Sequence, residues 1–202
     1  MSIHQLASGS NQVLEENVDS AGENISIYIP WDIQTPSETE GMTLTEERKI
    51  RIFCTGLIQE AGILLKLPQI CILTGMLTFN RFYWRKSFQK TEPFNIACAA
   101  LFVATKVEES FRKLRDLVSV FFHLIKKKEN IKPIPVLEIT SDTYSNMKNS
   151  VILMEMHILK ELGFQVYSLN EHPHKLLKSI NLLLKGNPGL VQKVKFNFPL
   201  GI

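Results

Sequence analysis

Along residues 44–162 apolar side chains return at steps of three and four, the period of helices that bury one face, and the breaks between runs divide the stretch into five helices. Thr43 and Glu46 stand at capping-box spacing ahead of the first, whose inner face is made by Ile50, Phe53, Cys54, Leu57, Ile58, Ala61, Leu64 and Leu65. Pro68 opens a second helix carrying Leu73, Met76, Leu77, Asn80 and Phe82, and the polar run 84–91 closes it. Pro93 suits the first turn of a third, because its missing N–H would have no partner there and its fixed φ already fits. Leu114, Leu117, Val118, Phe121, Phe122 and Ile125 make a fourth, amphipathic helix that ends in Lys126, Lys127 and Lys128, where cations suit the helix dipole. Pro133 and Pro135 mark a loop, and a fifth helix fills 142–162 with Gly163 placed to cap it.

The third helix differs from the rest. Between Phe94 and Val103 it is apolar on every side except at Asn95, which predicts a helix surrounded by other helices. Ala97, Ala99, Ala100 and Ala104 let neighbouring backbones approach, and Leu101, Phe102 and Val103 fill the gaps. Its far end then leaves the core, because Lys106, Glu108 and Glu109 crowd charges that suit only a surface or a partner. The fifth helix carries a matching anomaly. Tyr144, Met147, Val151, Met154, Ile158 and Leu162 share one sector, and Glu155 projects close to its middle, where an unpaired carboxylate is costly. Either a cation meets it, Lys106 being the candidate, or its tip lies at the edge of the fold; an ordinary lysine–glutamate bridge between packed helices would account for the same residues.

Composition narrows the class without naming a function. At 202 residues and 45% apolar content the expectation is one domain with tails, and a formal charge of +3 with both signs interspersed compels neither a nucleic-acid nor a membrane partner. Cys54, Cys71 and Cys98 each sit in an apolar helical pattern without the close spacing of a zinc or redox motif, as reduced core residues would. The N-terminus lacks a basic region followed by an apolar run, and no stretch approaches the roughly 20 apolar residues that span a bilayer, so a soluble, non-secreted protein is expected. Residues 1–42 read as a mostly disordered polar tail, relieved by apolar alternation at 25–31. Within it Thr35-Pro36 fits a proline-directed phosphorylation site as well as an ordinary turn. No GxSxG, HExxH or P-loop pattern occurs, so no catalytic residue, cofactor or metal is expected.

LFVATKVEES leading into a charged turn, then ITSDTY and MEMHILKELGF, resemble the first cyclin box, over about residues 44–166. Within that family LIQEAGILLKLPQ, KVEESFRKLRDLV, ILKELGF and EHPHK look like the cyclin L branch, the transcription and splicing cyclins. The resemblance implies an all-α fold, a five-helix cyclin box around a central buried helix at 43–166, followed at 167–202 by a linker and an incomplete second box. It implies a regulatory subunit rather than an enzyme, nuclear, binding and activating a cyclin-dependent kinase of the PITSLRE type that acts in transcription and pre-mRNA splicing. Transcription or splicing factors are possible further partners, and neither a membrane nor direct nucleic-acid contact is expected. Lys106 and Glu155 stand where the family holds the kinase near its mobile αC helix, and Val107, Phe164 and Val166 where it presents apolar contacts to the same helix.

Three departures from the family pattern stand out. The residues after Gly163 are too few for a second five-helix box, although 175–185 begins one; no Arg-Ser dipeptide occurs; and RIFCTGLIQEAG replaces the substrate-docking motif of cell-cycle cyclins. His172-Pro173-His174 is the family's linker rather than a metal pair. A truncated product that binds a kinase weakly without activating it, or a cyclin-fold adaptor of the transcription machinery, are the alternatives.

Overall fold

The computed structural model describes residues 34–166 and, beyond them, Leu182. The expectations for 25–31, for His172 to His174 and for a helix at 175–185 that begins a second box lie outside the described residues. The described part is helical: α1 (Pro36–Thr39), α2 (Leu44–Leu64), α3 (Gln69–Arg85), α4 (Pro93–Val107), α5 (Leu114–Lys128) and α6 (Asp142–Glu161). The five helices read from periodicity are α2 to α6. Of these α4 lies at the centre, packed most extensively against α3 and α6 and also against α2 and α5. Ile96 to Leu101 and Val103 to Thr105 are all buried, as an all-round apolar sequence requires.

Two close approaches set the helix spacing. A Cβ on Gly62 of α2 would stand 2.4 Å from Cγ1 of Ile72, and one on Gly75 of α3 would stand 3.3 Å from Cα of Leu101 in α4. A missing side chain makes room for Ile72 against α2 and brings the backbones of α3 and α4 together. Around them Phe79, Phe82, Tyr83 and Phe88 build an aromatic cluster in which Phe88 stacks on Tyr83 at 3.7 Å between ring centroids. The polar run after α3 is therefore not a solvated break: Ser87 and Phe88 are buried within it. Cys54, Cys71 and Cys98 are buried and unpaired.

The inner face of α2 is rotated from the expected one. Phe53 and Leu64 are exposed, while Glu47, Arg51 and Thr55 are buried. The polar side chains turn inward because each finds a partner. Arg51 donates through Nε and Nη2 to Oε1 of Glu47, through Nη1 to the side chain and carbonyl of Asn80, and through Nη2 to the Tyr83 carbonyl. Its guanidinium carbon also lies 5.3 and 5.2 Å from the rings of Trp84 and Phe88. Burial pulls the guanidinium below its ordinary pKa, and the Glu47 carboxylate opposes that. Phe53 meets Phe94 edge-on at 5.9 Å.

Residues 35–42, expected to belong to the polar tail, are folded. Thr35 and Glu38 form a capping box around α1, Pro36 occupies its first turn, and Ser37 is fully buried. Thr35 Oγ1 donates to Oε2 of Glu47 at 2.5 Å, the Phe88 N–H donates to Ser37 Oγ at 3.1 Å, and Lys90 pairs with Glu40. A four-residue helix is too short to show a period, so the polar letters around it read as tail. Residues 35–42 thus belong with the folded part.

Candidate functional site

α4 and α6 bring the two anomalous charges together where both helices reach the surface. Lys106 lies in the last turn of α4, and its Nζ donates to Oε1 of Glu155 on α6 at 2.5 Å. The lysine side chain is 46% exposed and the glutamate 13%. The ammonium also stands 4.2 Å from the centre of the Phe102 ring. The expected sector of α6 holds: Tyr144, Val151, Ile158 and Leu162 are buried and Met147 and Met154 pack against the core. Glu155 thus lies along a packed face and reaches its cation at the rim.

The turn after α4 is fixed from two sides. Glu108 caps the helix and its carboxylate accepts a 2.7 Å hydrogen bond from Thr74 of α3, while Ser110 N–H donates to the Thr105 carbonyl across Glu109, which adopts a left-handed φ of 51°. Arg112 then donates through Nε and Nη2 to the carbonyls of Leu65 and Lys66 at the end of α2. Burial pushes the Cys71 thiol behind this turn up to about 12, the Glu108 carboxylate adding to it and the Arg112 guanidinium opposing. So anchored, the turn leaves the ring of Phe111 exposed.

The end of α6 is clamped in a comparable way. Gly163 caps it as expected, its N–H donating to Lys160 and that of Phe164 to Leu159. Arg85 and Arg81 of α3 donate to the carbonyls of Glu161 and Gln165 at 2.5 and 3.1 Å, and Lys86 pairs with the Glu161 carboxylate at 3.0 Å. Arg85 thereby satisfies a carbonyl that the last helical turn leaves open, and Arg81 holds the turn beyond it. Phe164, at φ 60°, turns its ring outward and is 74% exposed.

Of the five residues expected to contact a partner, Lys106 and Glu155 are joined, Phe164 is exposed and Val107 is half-buried at the last position of α4. Val166 is 3% exposed, next to the Gln165 carbonyl that Arg81 holds. Thr74, Arg112 and the α3 cations were not foreseen. Thr74 stands within an apolar run, where a polar residue was the signal available, while Arg112 stands in a charged stretch that carries none. Among the described residues no group of three His, Cys, Asp or Glu could hold a metal ion, and no helix is long and apolar enough to cross a membrane. What the ends of α4 and α6 offer is a paired charge at the rim and, in the turns that follow, the exposed rings of Phe111 and Phe164, the chemistry of a docking face.

Residues 27–167 match the sequence profile of a family described as "Cyclin, N-terminal domain". The chain is similar to human Cyclin-L2, 41% identical over 143 residues, to human Cyclin-L1 at 43% and to Xenopus laevis Cyclin-L1 at 44%. Each alignment covers 71% of this chain but 26 to 28% of the relative, so the chain spans about a quarter of the length of the curated relatives it matches. Its fold is similar to a chain in the crystal structure of the yeast RNA Pol II CTD kinase CTDK-1 complex, with a TM-score of 0.60 at 18% identity, covering 74% of this chain and 46% of that one.

Proposed function

Because the chain belongs to the cyclin family, matching its N-terminal domain over 27–167, we propose that it is a regulatory subunit that binds a cyclin-dependent kinase through the end of α4 and the adjoining face of α6. Residues 34–166 are the first cyclin box, extended by α1, and 167–202 are the linker and the start of a second. The observation that carries the docking site is the Lys106–Glu155 pair. A half-exposed ion pair is worth at most about 1 kcal/mol to the fold, so stability gives little reason to place a carboxylate on a packed face. Under a docked partner the same pair loses water and its interactions strengthen.

The partner helix is the kinase's αC, gripped by the Lys106–Glu155 charges and by Val107 and the ring of Phe164. Seating αC inward lets its glutamate pair with the strand lysine that positions ATP, so the cyclin activates the kinase without contributing a catalytic group. Likeness to the L-type cyclins supports a kinase of the PITSLRE type, a nuclear site of action, and substrates in transcription and pre-mRNA splicing.

Binding to a purified PITSLRE-type kinase, measured by calorimetry, tests this. Lys106→Ala and Glu155→Ala should each weaken binding by about tenfold or more, and the double variant should lose less than the two combined. Losses that simply add, with unchanged melting curves, would mean that the two charges do not act on the kinase as a unit.

A further inference from the structure

We propose that Thr35 is a phosphorylation site through which α1 is released from the box. This stands apart from the kinase-docking site, since it concerns the opposite end of the described chain and different residues. Thr35 is the one Ser or Thr followed by proline in all 202 residues, and its backbone is already extended, at φ −70° and ψ 156°, with Pro36 next. In the folded chain its hydroxyl is nevertheless buried. It is the donor in a 2.5 Å hydrogen bond to Oε2 of Glu47, whose other oxygen is taken by Arg51.

The segment that hides it is lightly held. Beyond the Thr35 bond, α1 rests on the buried Ser37, which accepts from the Phe88 N–H, on Glu40, which meets Lys90 and Ser87, and on the partly buried Met42. Local opening of so short an element exposes Thr35 without disturbing α2 to α6. In that open state a proline-directed protein kinase carrying Mg·ATP can act on it. The Thr35 hydroxyl gives its proton to the kinase's base, an Oγ1–P bond forms to the γ-phosphorus, the bond from that phosphorus to the β,γ-bridging oxygen breaks, and ADP leaves.

Once formed, the phosphothreonine has no way back. The donor that Glu47 needs is gone, and a group of nearly two negative charges would have to sit against that buried carboxylate. Arg51 offers no relief, because its Nε, Nη1 and Nη2 are engaged by Glu47, Asn80 and Tyr83. Phosphorylation therefore traps the open state and frees the chain ahead of α2.

The full chain is incubated with a MAP-kinase-class enzyme and Mg·ATP, mapped by mass spectrometry and followed by amide hydrogen exchange. A single phosphate at Thr35 is expected, with the Met42 and Phe88 amides exchanging about ten- to a hundredfold faster while those of α4 keep their protection. Thr35→Val, which removes the donor but takes no phosphate, should speed the same amides. The proposal is overturned if a 30–40 peptide is phosphorylated while the folded chain is not, or if the phosphate lands elsewhere. Unchanged or slower exchange at Met42 and Phe88 after modification, or in Thr35→Val, would equally overturn it, by showing that the hydroxyl is not the latch.

Discussion

Glu47 and Arg51 meet at 2.5 Å with 3% and 7% of their side chains exposed, whereas Lys106 and Glu155 meet at the same distance with 46% of the lysine in water. The two pairs differ in what surrounds the charges. Arg51 spends its remaining donors on the Asn80 side chain and on the Asn80 and Tyr83 carbonyls, and Glu47 accepts from Thr35, so that pair is closed. Lys106 has one carboxylate and one aromatic face, leaving donor capacity toward solvent. A closed buried pair has no donor left for a docked partner, and an open one at the rim can trade its water for one. Distance alone would not have separated them.

The contrast is most easily broken at Arg51. Arg51→Ala leaves the Glu47 carboxylate buried without its cation, which should cost about 3–5 kcal/mol and be read as a large fall in Tm or as failure to fold. A loss under about 1 kcal/mol would mean that water reaches Glu47 and that the two pairs are alike. The helix spacing beneath both pairs is the next target. Gly75→Ala presses a methyl against Leu101, at 3.2 Å from Cδ1 and 3.3 Å from Cα; the latter is backbone, so α3 and α4 must part at a cost of about 1–3 kcal/mol in thermal melts.

Lys106→Ala should be far milder for the fold, at about 1 kcal/mol or less, although it removes the charge on which docking is proposed to depend. Salt sharpens the comparison: raising NaCl from 0.1 to 1 M shortens the screening length from about 10 to 3 Å, so it should shrink the effect of Lys106→Ala on stability and leave that of Arg51→Ala nearly unchanged.

Which of these pairs could be anticipated from the chain follows from how each departs from its surroundings. Glu155 interrupts an apolar sector, and Lys106 ends an apolar helix, so both stood out against a periodic background. The central helix was legible for the same reason, its apolar letters leaving no solvent face. Glu47 and Arg51 sit four residues apart among Glu46, Arg48 and Lys49, where they look like one more solvated pair. Their burial depends on Thr35, Asn80 and Tyr83, which are distant in the chain, and so no local pattern announces it. The rotation of α2 escapes the period for the same reason, since Phe53 and Leu64 carry the apolar letters of its expected inner face while the buried Arg51 and Thr55 are polar. For α1 a signal did exist, because Thr35-Pro36-Ser37-Glu38 has capping-box spacing with proline in the first turn.

The smallest expected effect lies in the turn that follows Lys106. Helices α2, α4 and α5 all end with a non-glycine residue at left-handed φ, Lys66, Glu109 and Asn130, whose own N–H and the one after it reach back to the last carbonyls. Glycine would relieve the Cβ clash at such a position, while giving the unfolded chain more freedom to lose. The two terms nearly cancel, so Glu109→Gly should shift stability by no more than about 1 kcal/mol, toward greater stability. Its side chain is exposed three residues after Lys106, however, and this makes the variant informative about docking. If Glu109 only turns the chain, kinase affinity stays at the wild-type level. Should affinity fall while the melting curve holds, the docking face extends past the ion pair to a second acidic side chain, and Lys106 and Glu155 are then part of a wider charged contact rather than its centre.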